Sequence, residues 1–487
     1  MKVLLICPPD WQLQFAIGPD FLRKTDSTSR YPPLGILYIA AYLIKNTDYE
    51  VAVIDAPLDG LSYDEIEERI RLYQPDVVGI SSFTMSLLDT VEIAHRVKKT
   101  NPNTFVVIGG AHAHVYPAET AMLPDVDAAV PGDGEEIMTE LVRAIAAGRP
   151  LDQIPGLYLR GKDSQLVITP ARLPIADLDA LPFPARSLLP TEAYKFVTDS
   201  EKCSTTMVSS RGCEFHCAFC EVPYRKVRAR SPENVVAEIE NCIELGYGEI
   251  NFYDDNFNFS EKRVEAICKE IVNRGINLKF SVRARVDKIS PTSLEWLSRA
   301  GCSRINFGIE AGDDRTLIFL KKGITTSMVR RSVRMAKEAG IEVTGYFIIG
   351  IPGETEDDIR RTIDFAVELD LDYAQFMTLF LTPNTELYNQ ALKKGVFDRD
   401  FYLDFARNPA PSKTIAYWED LLPFEITHSL LKTAYRRFYM RPVYFWKQLK
   451  KLRSFNSLFQ RGKFALKVMS YAMFPGKAYR PPSLNQK

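Results

Sequence analysis

Three cysteines lie within eight positions of the stretch SSRGCEFHCAFCEVPYRKVRARSPENV. Cys213, Cys217 and Cys220 follow the spacing Cys-x3-Cys-x2-Cys, and the aromatic Phe219 directly precedes the last of them. Thiolates bind soft metals, so the spacing predicts a metal centre. A zinc site would need a fourth ligand, which His216 is poorly placed to supply. A four-iron cluster on three thiolates would leave one iron open to a substrate or cofactor.

Length and composition limit the class of protein. The chain has 487 residues, of which 46% are hydrophobic and 25% charged, so two or three domains of ordinary globular composition are expected. The formal net charge of −1 predicts no general attraction to nucleic acid, and a nucleic-acid partner is not expected. No run of about 18 apolar residues lacks charges, so no transmembrane helix is expected.

The first residues bear on location. The run MKVLLIC stops at Pro8 without a small-residue cleavage site, which predicts a buried first strand rather than a signal peptide. We therefore expect a cytoplasmic protein with reduced cysteines, in which a cysteine cluster indicates metal more often than disulfides. The cysteines outside the loop are interpreted as packing residues: Cys7, Cys203, Cys242, Cys268 and Cys302.

Residues 1–147 alternate short apolar runs with amphipathic stretches. The strand candidates are KVLLIC, EVAVIDA, VVGISS, TFVVIGG and AAVPG. Helical stretches lie between and after them, at 34–45, 62–73, 87–99 and 135–147. This order predicts a doubly wound, Rossmann-like parallel sheet, in which ligands bind beyond the carboxyl ends of the strands.

The rest of the chain divides by composition. Seven prolines predict a linker over residues 148–200. Residues 201–399 resume the alternation, with six strands, and predict a partial (β/α)6 TIM-type barrel whose chemistry sits at the strand carboxyl ends. Residues 400–487 are expected to be basic and mainly helical. The fold class is therefore α/β. The barrel helices are expected at 233–245, 261–273, 291–299, 326–338 and 356–369.

The cysteine loop resembles the cluster-binding motif of the radical S-adenosylmethionine superfamily, in which three thiolates hold a [4Fe–4S] cluster. In that superfamily the open iron is chelated by S-adenosylmethionine. The resemblance extends to the segments FYDDNF, SVRARVD, FGIEAG and GYFIIGIPGET. It implies cofactor contacts from these segments and from the loop, at Phe219, Asp254, Asp255, Arg283, Arg285, Glu310 and Gly350.

These contacts have structural alternatives. Asp-Asp-Asn at a strand end is commonly a helix cap or turn. Gly345, Gly350 and Gly353 are expected to serve backbone geometry whether or not a cofactor approaches them.

The N-terminal sheet followed by this barrel resembles the cobalamin-binding branch of the superfamily, which includes C-methylases and the anaerobic tetrapyrrole ring cyclase. The segments that carry the resemblance are CPP, GISSFT, GGAHAHVYP and GDGEE, each after a predicted strand. The branch implies cobalamin contacts at Pro8, Pro9, Ser81, Ser82, Thr84, Gly109, Gly110, His112, Gly132, Gly134 and Glu135.

One departure concerns the lower face of cobalt. Cobalamin domains that ligate cobalt with histidine carry Asp-x-His-x-x-Gly after the first strand, whereas this chain has CPPDWQLQ. We therefore expect base-off cobalamin without a protein imidazole on cobalt. Two alternatives remain for this domain. His112 and His114 could ligate a metal, although no third ligand is evident, and the sheet could hold another ligand or none.

The resemblance implies a reaction. A reduced cluster cleaves S-adenosylmethionine to a 5′-deoxyadenosyl radical, which abstracts hydrogen from an unactivated carbon. C-methylation from methylcobalamin is the first hypothesis, because it explains a dedicated cobalamin domain most directly. Oxidative ring closure is the second. A non-catalytic cobalamin sensor is the alternative of another class, and the complete cysteine triad argues against it. A methylthiotransferase would need a second cluster, for which the first domain has only Cys7.

The C-terminus bears on the substrate. From residue 426 onward there are fourteen Lys or Arg residues and no Asp or Glu, interleaved with large aromatic residues. Such a segment suits anionic headgroups, so a lipid-like small-molecule substrate and peripheral contact with the inner face of the membrane are hypotheses. The alternatives are a solvated helical cap and RNA binding. A flavodoxin or ferredoxin reductase is expected as electron donor.

Overall fold

The computed structural model describes residues 1–12, 31–161, 163–194, 203–397, 399–411, 417–450 and 471. These residues form two compact units. The first contains 1–12, 32–193, 397, and 399–411, and the second contains 31, 194, 203–396, 417–450 and 471. Each unit is organised around a sheet.

The first unit has a seven-stranded sheet among its described residues, in the order β2-β1-β3-β4-β5-β6-β7. The strands β1 to β5 run parallel, and β6 and β7 are added antiparallel at one edge. The core between sheet and helices includes Leu5, Val107 and Leu141, all buried. The strands are β1 Lys2–Cys7, β2 Glu50–Asp55, β3 Val77–Ser81, β4 Phe105–Gly109, β5 Ala128–Ala129, β6 Tyr158–Arg160 and β7 Leu166–Ile168.

The helices of this unit follow the predicted alternation. In the longest of them one face is buried and the other solvated, and a capping box of Ser62 and Glu65 starts α3. The four predicted helices are confirmed to within one or two residues. The helices are α1 Leu34–Asn46, α2 Ala56–Asp59, α3 Tyr63–Tyr73, α4 Leu87–Thr100, α5 Ala111–Val115, α6 Pro117–Ala121 and α7 Glu135–Ala146.

The segment expected to be a linker takes part in this sheet. β6 pairs with β5 through Ala129 and Tyr158, and Thr169 is bonded to both backbone atoms of buried Leu157. The prolines therefore interrupt a segment that, up to residue 193, packs within the first unit. Residues 195–200 of the predicted linker lie outside the described residues.

The second unit has six parallel strands in the order β15-β14-β13-β12-β11-β8, which is the partial barrel predicted. A two-stranded ribbon, β9 with β10, lies beside it. The strands are β8 Ser204–Met207, β9 Ser210–Arg211, β10 Arg228–Ala229, β11 Glu249–Phe252, β12 Lys279–Ala284, β13 Cys302–Glu310, β14 Glu342–Ile349 and β15 Tyr373–Thr378.

Helices connect consecutive strands of the barrel. All of these helices except α9 begin with a side-chain cap, such as Ser231 or Thr325, which accepts a hydrogen bond from a backbone amide of the first turn. The five predicted helices are confirmed to within one residue, and two more were not predicted. The predicted ones are α8 Pro232–Glu244, α9 Glu261–Asn273, α10 Pro291–Arg299, α12 Thr326–Glu338 and α13 Glu356–Glu368, and the others are α11 Asp314–Phe319 and α14 Glu386–Lys393.

The C-terminal region is divided between the two units. Helix α15, Phe401–Arg407, belongs to the first unit, whereas α16, Phe424–Tyr439, and α17, Pro442–Lys450, belong to the second. The buried face of α16 joins the barrel core, and two of its hydroxyls bond to strand β15. Tyr439 Oη donates to Ala374 O at 2.8 Å, and Tyr435 Oη donates to Phe376 O at 3.1 Å.

The tail beyond α17 was expected to be basic and helical. Apart from residue 471, it lies outside the described residues, including the aromatics Phe455, Phe459 and Phe464. Within the described ranges, no helix has the length and apolar character needed to cross a bilayer.

Candidate functional site

The three cysteines lie on the loop between β9 and β10, which follows β8 of the barrel. All three thiols are partly exposed and unpaired by disulfides. The loop is held by its own backbone, because Cys213 N donates to Tyr224 O at 3.0 Å and Cys220 N donates to Cys217 O at 3.1 Å. Gly212 has φ +97°, and a Cβ there would lie 2.6 Å from a backbone oxygen, so only glycine allows this turn.

Two aspartates after β11 fix the start of this loop. Asp254 is fully buried and accepts from Ser209 N at 2.7 Å and from Ser210 Oγ at 2.8 Å. Asp255 accepts from Gly212 N at 2.9 Å. Asp254 therefore positions the loop, and its expected contact with S-adenosylmethionine stays a prediction. Burial raises the pKa of Asp255, while the Gly212 amide lowers it.

Burial favours the protonated form of two of the thiols, those of Cys213 and Cys220. Burial raises the pKa of Cys220 to about 12, helped by the neighbouring Cys217 and opposed by Lys322. Burial also raises the pKa of Cys213. Binding iron must therefore displace protons, as it does for any thiolate ligand. Within the described part of the chain, no group of three or more His, Cys, Asp or Glu side chains is close enough together to hold a single metal ion.

Two arginines from the β12 segment lie beside the loop. Arg285 is 7% exposed and donates to Asp287 Oδ1 at 2.9 Å and to Lys322 O at 2.7 Å, while its Nη1 lies 4.0 Å from the Cys217 sulfur. Its guanidinium also stacks 3.6 Å from the centre of the Phe215 ring. Arg285 is thus committed to the loop and its neighbours.

Arg283 differs from Arg285 in its partners. Its guanidinium lies 3.6 Å from the centre of the Tyr253 ring, the residue directly before the two aspartates. A guanidinium stacked on a ring keeps its edge donors available to a planar carboxylate. Contact of Arg283 with S-adenosylmethionine therefore stays a prediction.

Glu310 ends strand β13 in a left-handed conformation, with φ +68°, which is unusual for a residue with a side chain. Its carboxylate accepts from Lys322 Nζ at 2.7 Å, and both side chains are buried. The sequence reasoning found Glu310 but missed Lys322. In the sequence, Lys322 belongs to a Lys-Lys-Gly segment after α11, which is typical of an ordinary polar turn and does not indicate a buried lysine.

Gly350, at the end of β14, has φ +75° and a protein neighbour of its own. A Cβ there would lie 2.3 Å from Tyr417 Oη and 2.7 Å from Thr427 Cγ2. The glycine is therefore needed for the approach of the C-terminal segment, and its expected contact with S-adenosylmethionine stays a prediction. Nearby, burial raises the pKa of Glu354 to about 8, although it accepts from Ile351 N at 2.8 Å.

In the first unit, the predicted cobalamin loops meet at the carboxyl ends of β3 and β4. Gly110 is exposed, with φ +93°, and a Cβ there would lie 2.8 Å from Ser82 O. His112 N donates to the same oxygen at 3.0 Å, and Ser82 N donates to Gly109 O at 2.8 Å. Ser81 follows in the same register, since it pairs with Gly109. These small residues leave backbone open to a flat ligand.

His112 is fully buried, and burial lowers its pKa to about 3, so the imidazole is neutral at physiological pH. Its Nδ1 lies 3.0 Å from Thr84 Oγ1, whereas its Nε2 has no hydrogen-bond partner among the described residues. A buried nitrogen without a partner is costly unless a ligand satisfies it. The loop therefore fits a bound molecule with hydrogen-bonding groups.

The remaining predicted cobalamin residues lie at the same edge of the sheet. Pro8 and Pro9 follow β1 and are buried, and Gly132, with φ +97°, and Gly134 lead into α7. Glu135, the first residue of α7, is 3% exposed. The turn after β1 carries no histidine, so a side chain there cannot provide an imidazole ligand. The residues fit a large, flat ligand at this edge.

Comparison with known proteins gives two family matches. The model of the radical SAM superfamily matches residues 207–366, and that of the B12 binding domain matches residues 24–142. The two matched segments fall on the two sheets. They contain the cysteine loop and three of the four segments expected to contact cobalamin, all but the CPP segment after β1.

Individual relatives agree. An uncharacterized methyltransferase of Pyrococcus horikoshii is 33% identical over 91% of this chain and 93% of its own length. The anaerobic magnesium-protoporphyrin IX monomethyl ester cyclase of Rubrivivax gelatinosus is 29% identical over 76% of this chain and 68% of its own. The structure of the radical S-adenosylmethionine methyltransferase TsrM from Kitasatospora setae, with cobalamin and a [4Fe–4S] cluster bound, superposes with TM-score 0.72 at 19% identity, covering 97% of this chain and 100% of that one. The chain therefore belongs to the radical S-adenosylmethionine superfamily, in the branch that carries an N-terminal B12-binding domain.

Proposed function

We propose that this protein is a cobalamin-dependent radical S-adenosylmethionine enzyme that methylates an unactivated carbon of a small molecule. The observation that carries the proposal is the loop of three unpaired thiols at the end of β8, beside Arg285 and the buried Glu310–Lys322 pair. The methyltransferase names of the relatives from Pyrococcus horikoshii and Kitasatospora setae favour methyl transfer. When bound, the cluster and S-adenosylmethionine supply radical chemistry, and cobalamin supplies the methyl group.

The chain's own residues have the tasks of binding and orientation. Cys213, Cys217 and Cys220 would hold the cluster, and Asp254 and Asp255 fix the backbone that presents them. Phe219 directly precedes the last of these cysteines, and the centre of its ring lies 5.8 Å from Lys322 Nζ.

In the first unit, the backbone around Gly110 and Ser82 and the open nitrogen of His112 would hold cobalamin. The lower face of cobalt would receive no imidazole, because the turn after β1 has none. The predicted contacts of Gly132, Gly134 and Glu135 belong to the same edge.

The first experiment measures products from S-adenosylmethionine. Anaerobically reconstituted protein with iron, sulfide and cobalamin is given S-adenosylmethionine and dithionite, and 5′-deoxyadenosine and S-adenosylhomocysteine are quantified. The Cys213→Ala, Cys217→Ala, Cys220→Ala variant should lose 5′-deoxyadenosine. The matched control is Cys203→Ala, which removes a partly exposed thiol outside the loop. Equal 5′-deoxyadenosine from wild type and the triple variant would contradict the proposal.

The second product separates methylation from ring closure. S-adenosylhomocysteine together with 5′-deoxyadenosine supports methyl transfer. Cysteine-dependent 5′-deoxyadenosine without S-adenosylhomocysteine would favour the oxidative cyclase reaction. That reaction is the second candidate, because the relative from Rubrivivax gelatinosus is a cyclase.

We also propose that the substrate is lipid-like and is met at a membrane surface. Helix α17 is anchored by Tyr444 Oη, which donates to Asp372 O at 3.1 Å, and it leaves Val443 63% and Trp446 67% exposed. These two residues are three apart and share a face. Exposed apolar residues beside a strongly basic tail fit an anionic bilayer. A flavodoxin or ferredoxin is proposed as electron donor, since the cluster's redox chemistry requires a carrier of single electrons.

A further inference from the structure

The buried pair of Glu310 and Lys322 requires a strained backbone and the burial of two charged groups. Glu310 adopts a left-handed backbone, which costs about 1–2 kcal/mol for a residue with a side chain. The pair lies directly against Gly308, where a Cβ would be 2.5 Å from Glu310 Oε1 and 2.8 Å from Lys322 Nζ. Lys322 is 8% exposed. A buried charged pair of this kind contributes little net stability, so stability alone does not account for it.

The lysine is connected to the cysteine loop on two sides. Its carbonyl accepts from Arg285 Nη2 at 2.7 Å, and two residues earlier Leu320 O accepts from Ala218 N at 2.9 Å. Ala218 lies between the second and third cysteines. The turn that carries Lys322 is therefore held at a fixed place against the loop.

The ammonium of Lys322 lies close to the sulfurs of the cysteine loop. Its Nζ is 5.8 Å from the centre of the ring of Phe219, the residue directly before Cys220. Water screens the field of this ammonium weakly, because Lys322 is buried. Any additional negative charge on these sulfurs would be stabilised by the ammonium and destabilised by the carboxylate of Glu310.

We propose that Lys322 and Glu310 set the reduction potential of the cluster, with Lys322 raising it and Glu310 lowering it. The inference rests on the proposed function, because it requires the cluster. Reduction adds one electron to the cluster and no proton, so the added charge interacts directly with the two side chains. Lys322 is a positioning and tuning residue here, since it acts on iron through the field at the sulfurs.

The test is an anaerobic redox titration of the reconstituted cluster, followed by the electron paramagnetic resonance signal of its reduced form, with dithionite as reductant and without S-adenosylmethionine. Lys322→Gln should shift the midpoint potential to more negative values, and Glu310→Gln should shift it to more positive values. The Lys322→Gln, Glu310→Gln double variant should lie between the two. Removing a positive and a negative charge should shift the potential in opposite directions. A general loosening of the loop would not produce shifts of opposite sign in the two variants.

The matched control is Lys321→Gln. Lys321 is the adjacent residue and carries the same charge, but its side chain is 55% exposed and paired with Glu386. Its removal should leave the potential unchanged. If Lys322→Gln fails to assemble a cluster, Glu310→Gln and Lys322→Arg decide the question, with a positive shift and a near-wild-type potential expected. Unchanged or same-sign shifts in Lys322→Gln and Glu310→Gln would overturn the inference. Wild-type protein that holds no iron would instead refute the proposed function.

Discussion

Single residues were predictable where their chemistry needs a particular spacing. The spacing of the three cysteines predicts a metal-binding loop, and in the structure all three lie on one loop, between β9 and β10. The structural role of Asp254 was not predictable, because a sequence cannot show that Ser209 and Ser210 donate to its oxygens. Lys322 was missed because burial, which turns an ordinary lysine into an influential charge, depends on the turn that carries it.

At the residue scale, Gly110→Ala should weaken cobalamin binding. The new Cβ would meet Ser82 O at 2.8 Å and push apart the loops at the ends of β3 and β4. Overpacking of this kind costs about 1–3 kcal/mol, so we expect binding weakened about tenfold or more. Hydroxocobalamin retained after desalting, measured by absorbance, reports the effect.

The control for this prediction is Gly60→Ala. Gly60 also has a positive φ, +64°, but no atom lies within 4 Å of its Cβ position. It shares the backbone strain without the collision and should retain cobalamin. Equal cobalamin retention by the two variants would show that the Gly110 loop does not hold the cofactor.

Elements were predictable where hydrophobic periodicity is sustained. Helices such as α7 and α12 bury one face and solvate the other, so their pattern repeats over several turns. Strands β6 and β7 were missed because each has three residues, too few for alternation to appear, and because prolines surround them. Their place is set by pairing with β5, which is a tertiary interaction.

At the element scale, Asp254→Ala should release the segment that leads into the cysteine loop. The buried donors of Ser209 and Ser210 would lose their acceptor, at about 1–3 kcal/mol for each unsatisfied group. We expect iron and sulfide per chain to fall below half of the wild-type value after reconstitution.

Asp400→Ala provides the comparison for Asp254→Ala. Asp400 caps α15 in the first unit by accepting from Leu403 N at 3.1 Å, so its loss costs about 1 kcal/mol of stability. Iron content should stay at the wild-type level in this variant. A full complement of iron in Asp254→Ala would mean that the aspartate is not needed to position the loop.

At the scale of the whole molecule, the order of two α/β sheets was readable from the sequence, but the course of the C-terminus was not. Basic and aromatic residues were interpreted together as one surface. The structure buries Tyr435, Phe438 and Tyr439 in the barrel unit and leaves Trp446 exposed on the next helix. Aromatic residues of the same composition therefore serve packing in α16 and are left for contact in α17.

The membrane proposal is tested with Val443→Ser, Trp446→Ser protein. Wild-type protein should sediment with phosphatidylglycerol-containing vesicles at low salt. The variant should bind about tenfold or more weakly, because burying each such side chain contributes about 1.5–3 kcal/mol. Leu173→Ser, which changes an 87% exposed leucine of the first unit, should bind like wild type. Wild-type protein that remains in the supernatant at every salt concentration would contradict the proposal.

The tyrosines of α16 have a consequence for solubility. A barrel that does not close leaves an outer strand, and the free backbone groups of such a strand can pair with another chain. On β15 the amide and carbonyl of Ala374 are bonded to Tyr439 Oη, and those of Phe376 to Tyr435 Oη. The two hydroxyls thus bond to backbone groups that a seventh strand would otherwise pair with. This should disfavour the pairing of β15 with an edge strand of another molecule, and with it edge-to-edge aggregation.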